Sequence, residues 1–73
     1  MSSPQEMLSG LVERVTYHNG DTGYCVLRIK VDRQKDLITV VGHANAIAAG
    51  EFIQVSGQWI NDKNYGLQFK ASF

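Results

Sequence analysis

Apolar and polar residues alternate along most of the chain with a period of two, the repeat of a β-strand with one buried face. Residues 23–31 show it most clearly: Leu27, Ile29 and Val31 share one phase, and Val26, Arg28 and Lys30 the other. Residues 52–60 set Ile53, Val55, Gly57 and Trp59 against Gln54, Ser56 and Gln58. Residues 66–72 set Leu67, Phe69 and Ala71 against Gln68, Lys70 and Ser72. Residues 10–18 form a further strand, and residues 36–43 are apolar enough to be buried on much of both faces. Five strands are therefore predicted, rich in the β-branched and aromatic residues that favour a pleated surface.

The intervening segments carry turn chemistry. Asn19-Gly20 readily takes positive φ and predicts a tight hairpin between the first two strands. Residues 32–35 make a charged turn, and residues 61–66 a second hairpin. Residues 44–51 differ, being alanine-rich and containing Gly50, and predict one helical turn anchored to the core by Ile47. Glycines 10, 42 and 57 inside strands are the mark of bulges and sharp bends in a curved sheet. Five curved strands with a helical link between the third and fourth describe an all-β, five-stranded oligonucleotide/oligosaccharide-binding (OB) barrel. A five-stranded SH3-like barrel is the competing arrangement. It would place its long loop early in the chain and a 3₁₀ turn before the last strand, whereas here the longest connection follows the third strand. Residues 1–7 are expected to be a flexible tail, and residues 8–73 one domain, cut from a longer chain because its last strand runs to residue 73.

Composition narrows the chemistry. With 73 residues, a single core of this size supplies only about 3–5 kcal/mol of net stability. Seven basic and seven acidic residues cancel, which excludes nucleic-acid binding by bulk charge and leaves room for a local basic face. Cys25 is the only cysteine, so no internal disulfide or cysteine-rich zinc site exists, and a reducing, cytoplasmic setting is expected. The longest uncharged apolar stretch is too short to span a bilayer, and no membrane partner is expected. The spacings of His18, His43 and Cys25 match no metal pattern, and nothing pairs Glu13, Asp36, Glu51 or Asp62 for acid–base catalysis.

The residues suited to a ligand are basic and aromatic. Arg28 and Lys30 share a face, Arg14 and Lys70 sit on outward phases, and such a stripe can follow a phosphate backbone. A solvated strand face that keeps edges from pairing explains the same charges. Tyr17, Tyr24 and Tyr65 fall at hairpin ends, where a ring can stack on a base or simply cover the end of a barrel. Phe69 and Trp59 share phases with core residues and are expected inside. An OB barrel binds its ligand on strands two and three and on the one–two and four–five loops. Here those loops add His18, Lys63 and Tyr65. The candidate nucleic-acid-binding residues are thus Arg14, Tyr17, His18, Tyr24, Arg28, Lys30, Lys63, Tyr65 and Lys70.

The stretch GLVERVTYHN (residues 10–19), followed by TGYCVLR (22–28), VVGHA (40–44), AGEF (49–52), VSGQW (55–59) and YGLQFKA (65–71), is distinctive. Over residues 8–73 the chain resembles the N-terminal OB domain of bacterial RecD-like superfamily 1 DNA helicases, relatives of the exonuclease V alpha subunit. The resemblance implies a parent protein that hydrolyses ATP with Mg²⁺ and moves 5′ to 3′ on single-stranded DNA in DNA repair. The phosphate-binding loop, the magnesium-binding acid and the arginine finger of that motor are not in this sequence, so no catalysis and no cofactor are expected of the fragment. Two functions follow from the resemblance. One is an accessory module that contacts single-stranded DNA beside the motor. The other is a docking module that binds the helicase body or a single-strand-binding protein without touching DNA.

Overall fold

The computed structural model describes residues 5–72. Its five strands are β1 (Glu6–His18), β2 (Tyr24–Lys30), β3 (Ile38–His43), β4 (Phe52–Asp62) and β5 (Gly66–Ser72). They close into a barrel in the order β1-β2-β3-β5-β4, with β1 pairing both β2 and β4. Every contact is antiparallel except β3–β5, where Val40 faces Phe69 and Val41 faces Lys70 in parallel register. This order, with its single parallel seam, is that of an OB barrel and not of an SH3-like one.

One phase of each strand fills the interior. Val12, Cys25, Leu27, Ile29, Val40, Val55, Phe69 and Ala71 form the buried cluster, and Val15, Ile47 and Ile53 pack around it. Val12 and Val15 both face the core although three residues apart, which strict alternation forbids. The register of β1 against β2 slips between Val12 and Arg14, and again between Val15 and Tyr17. Each slip inserts one extra residue, bends the strand and re-aims the side chains beyond it. These two bulges let β1 coil far enough to pair on both sides, and they turn Arg14 and Tyr17 outward.

Gly57 and Gly10 are where strands approach most closely. A Cβ on Gly57 would lie 2.0 Å from the Lys70 carbonyl oxygen, and one on Gly10 would lie 2.5 Å from that of Lys30. Trp59 departs from the expectation of burial. It is 39% exposed and packs edge-on against Phe69, with ring centroids 5.2 Å apart. Leu67 shares the Phe69 phase but pairs with Asn61 beside the β4–β5 hairpin and is 62% exposed.

Three local expectations need correction. Glu6 and Met7 are strand residues opposite Gly57 and Ser56, since β4 is long enough to pair them; Gln5 precedes the strand and its side-chain amide donates to the Ser72 hydroxyl, and residues 1–4 of the expected tail lie outside the described residues. Residues 44–51 contain no helix. The Gly50 amide donates to the Val12 carbonyl, the Val12 amide donates to the Glu51 carbonyl, and the Glu51 carboxylate accepts the Ala48 amide at 2.6 Å. Bonds to β1 and a four-residue turn with Gly50 at φ 96° use the groups that a helical turn would need. Finally, positive φ in the β1–β2 loop falls at Gly23 (81°), not at Asn19-Gly20. The loop closes through a bond from the Gly23 amide to the Asn19 carbonyl, while the Asn19 side-chain oxygen accepts the amides of Asp21 and Thr22.

Candidate nucleic-acid interface

The outward phases of β1, β2, β3 and β5 and the β4–β5 hairpin enclose an open groove of about 500 Å³. Thr16, Tyr17, Tyr24, Val26, Arg28, Thr39, Asp62, Tyr65 and Gln68 line it. Register explains the assembly. Tyr17 faces Val26, Val26 faces Val41, and Arg28 faces both Arg14 and Thr39, so these residues stand in rows across the sheet. Val41 and Gln68 are buried although neither belongs to the interior cluster. Gln68 lines the groove, and Val41 stands beside it as the register partner of the groove residue Val26.

The walls are held by their own turns. Asp62 Oδ1 accepts the amides of Asn64 and Tyr65 at 2.7 and 3.0 Å, and Gly66 at φ 81° completes the three-residue hairpin. This fixes the backbone of Tyr65 while its ring stays free in solvent, 79% exposed. On the other wall Tyr17 and Tyr24 are 6.1 Å apart at a tilt of 54°, and Tyr24 meets His43 edge-on at 5.6 Å. The Asn19 amide donates to the Tyr17 hydroxyl at 3.3 Å, linking the ring to the β1–β2 loop. The groove thus offers aromatic faces, a guanidinium, two threonine hydroxyls, a buried amide and the carboxylate of Asp62. That set can take a planar ring and hydrogen-bond its edge.

Of the nine residues singled out in the sequence, Tyr17, Tyr24, Arg28 and Tyr65 line this groove. Arg14 stands beside it as the register partner of Arg28, and Lys70 lies beyond Val41 on the same outer face. Lys63 is exposed in the hairpin next to Tyr65. The other two lie elsewhere. Lys30 is at the far end of β2 opposite Leu11. His18 Nε2 is 2.9 Å from the Ala44 carbonyl oxygen and ties the β1–β2 loop to the chain after β3. Gln68 was legible as an outward-phase residue and Thr39 was not, since residues 36–43 read as buried on much of both faces; the place of both in the groove depends on the β3–β5 pairing, which no local pattern announces.

No glycine-rich loop carries a lysine for phosphates, and among the described residues no three His, Cys, Asp or Glu side chains gather to hold a metal. Cys25 is enclosed in the core, where burial pushes its thiol above the ordinary value. No helix among the described residues is long and apolar enough to cross a membrane.

No curated protein and no solved structure shows significant similarity to the chain. A family model does match, over residues 5–73, nearly the whole sequence and all five strands. The model describes the OB-fold domain of the ATP-dependent DNA helicase YrrC. With its barrel order and this match in agreement, the chain belongs to the YrrC OB-fold domain family.

Proposed function

We propose that this domain holds single-stranded DNA for an ATP-dependent DNA helicase of which it is one part. The observation that carries the reading is the groove: Tyr17, Tyr24 and Arg28 of β1–β2 and Tyr65 of the distant β4–β5 hairpin line one cleft on the face where OB barrels take their ligands. Unpaired bases stack on such rings, each stack contributing roughly 1–3 kcal/mol. ATP and Mg²⁺ are the business of the motor and not of this cleft, and the helicase works in the cytoplasm, in DNA repair. Binding by the domain alone is weak, because its net charge is zero and bulk attraction is missing.

Fluorescence anisotropy of a labelled oligo-dT at low salt tests this. Tyr65→Ala, which removes the most exposed ring, is expected to weaken binding roughly 5- to 150-fold, the equivalent of one lost stack. Undetectable binding of the unmodified domain at millimolar concentration would overturn the reading.

A second reading rests on a different surface. Leu11 and Phe52 face each other across β1–β4, with Met7 on the same phase of β1. Phe52 is 72% exposed, and Met7 is exposed as well. This apolar strip points away from the groove and fits a domain docked on the helicase body. Phe52→Ser would weaken such docking and leave DNA affinity unchanged; a loss of DNA affinity instead would count against the strip as a separate surface.

A further inference from the structure

Two features of the domain are unfavourable as they stand. Arg14 and Arg28 are register partners on the outer face of β1–β2. Side chains directly opposite have Cβ atoms about 4.5–5.5 Å apart, and like charges there destabilise a sheet. Nε of Arg28 is enclosed without a hydrogen-bond partner, the one such side-chain atom among the described residues. An enclosed donor left unpaired is costly, more so when it is charged. Among the described residues no ion pair engages either guanidinium. Thr39 continues the row as the register partner of Arg28 on β3.

An oxyanion would relieve the first feature. It would neutralise the facing guanidinium groups, and Arg28 could give it its two terminal nitrogens, while the enclosed Nε reports the change in the guanidinium's surroundings. The Thr39 hydroxyl would supply a further donor. We propose that Arg14, Arg28 and Thr39 form a phosphodiester-binding site at the side of the tyrosine groove. The groove then takes one nucleotide, with its phosphate on this row and its base against the rings. The proposal deepens the single-stranded DNA reading and rests on it. A volume of about 500 Å³ lies within the usual range for small-ligand sites. Asp62, the one carboxylate among the described residues that line the groove, has Oδ1 engaged by the Asn64 and Tyr65 amides.

The test follows the arginine Nε–Hε and backbone amide resonances of the isotope-labelled domain during titration with oligo-dT, thymidine monophosphate, thymidine and inorganic phosphate. Arg28→Lys, which keeps the charge but lacks Nε, assigns the resonance. Oligo-dT and the monophosphate are expected to shift the Arg28 Nε–Hε signal, whereas thymidine moves only the tyrosine-wall amides. The monophosphate is expected to bind about tenfold or more tighter than thymidine, the scale of a charge-assisted hydrogen bond. Arg14→Gln should weaken oligo-dT binding by a similar factor and yet raise the melting midpoint of the free domain, because it removes the facing like charge. Oligo-dT that moves the tyrosine-wall amides while the Arg28 signal and the Arg14→Gln affinity stay unchanged would overturn the phosphate site and leave the DNA reading standing. Inorganic phosphate binding as tightly as the monophosphate would also overturn it, by revealing an anion site without a nucleotide. No response of any resonance to oligo-dT would overturn both.

Discussion

Replacing Gly57 by alanine tests the barrel more severely than its single added methyl implies. Gly57 faces Ala71 across β4–β5, and its Cβ would lie 2.0 Å from the Lys70 carbonyl oxygen, 2.8 Å from that carbonyl carbon and 2.9 Å from the Ala71 Cα. All three atoms are backbone, so no side chain can swing aside. To restore even a tight 3.0 Å contact the strands must separate by about 1 Å. Phe69 and Ala71 of the same β5 segment are buried in the core, and Phe69 also carries the Trp59 ring, so the movement cannot stay local. Overpacking a core costs about 1–3 kcal/mol, and an immovable backbone places this case at the upper end. Against a net stability of about 3–5 kcal/mol, a loss near 3 kcal/mol lowers the melting midpoint by roughly 12–24 °C. Thermal unfolding followed by circular dichroism measures it. Gly20→Ala is the control, since nothing lies within 4 Å of that Cβ and Gly20 is not at positive φ; it should melt within about 3 °C of the parent. A Gly57→Ala domain that melts as close to the parent as this control would refute the β4–β5 spacing described here.

Two further outcomes are expected. If Arg14, Arg28, Lys63 and Lys70 contribute three or four phosphate contacts, the logarithm of the oligo-dT affinity should fall with the logarithm of salt concentration at a slope of about −2 to −3, at about −0.7 per contact on single strands; a flat dependence in anisotropy titrations would contradict the basic row. Cys25 is enclosed and its thiol is raised by burial above the ordinary value of 9.0, so the unfolded chain releases this proton first. Stability contributed by the buried thiol is therefore complete below pH 9.0 and falls as pH rises past it. A disulfide reagent should label Cys25 only at the rate of unfolding, and fast labelling of the folded domain would show that the core is open.

Much of the fold was written in local pattern. β5 occupies the span that its alternation predicted, β4 starts where expected, and the double-sided apolarity of residues 36–43 reappears as Val40 in the core cluster and Val41 buried outside it. What escaped was set by long-range pairing. The first turn of pairing in β1, at Glu6–Ser9, depends on the length of β4 and not on alternation of its own. The two β1 bulges shift the phase in the middle of a strand that reads as continuous. Residues 44–51 have a helical composition, but the Gly50 amide and the Glu51 carbonyl are claimed by Val12 of β1, and the Ala44 amide by Gly23. The groove divides in the same way. Its tyrosines stood out because hairpin ends are visible in sequence, whereas Thr39, Gln68 and the facing Arg14–Arg28 pair appear only once strands are set side by side. His18 carried suitable chemistry but is spent on the Ala44 carbonyl, a contact between segments 26 residues apart.

The most direct measurement is an amide chemical-shift titration of the domain with a short oligo-dT at low salt. Shifts concentrated at Tyr17, Tyr24, Arg28, Thr39, Tyr65 and Gln68, with the Leu11–Phe52 strip silent, are the expected result and would place DNA in the groove. Shifts confined to the Leu11–Phe52 strip, or none at millimolar DNA, would contradict it and leave the domain as a docking module of the helicase.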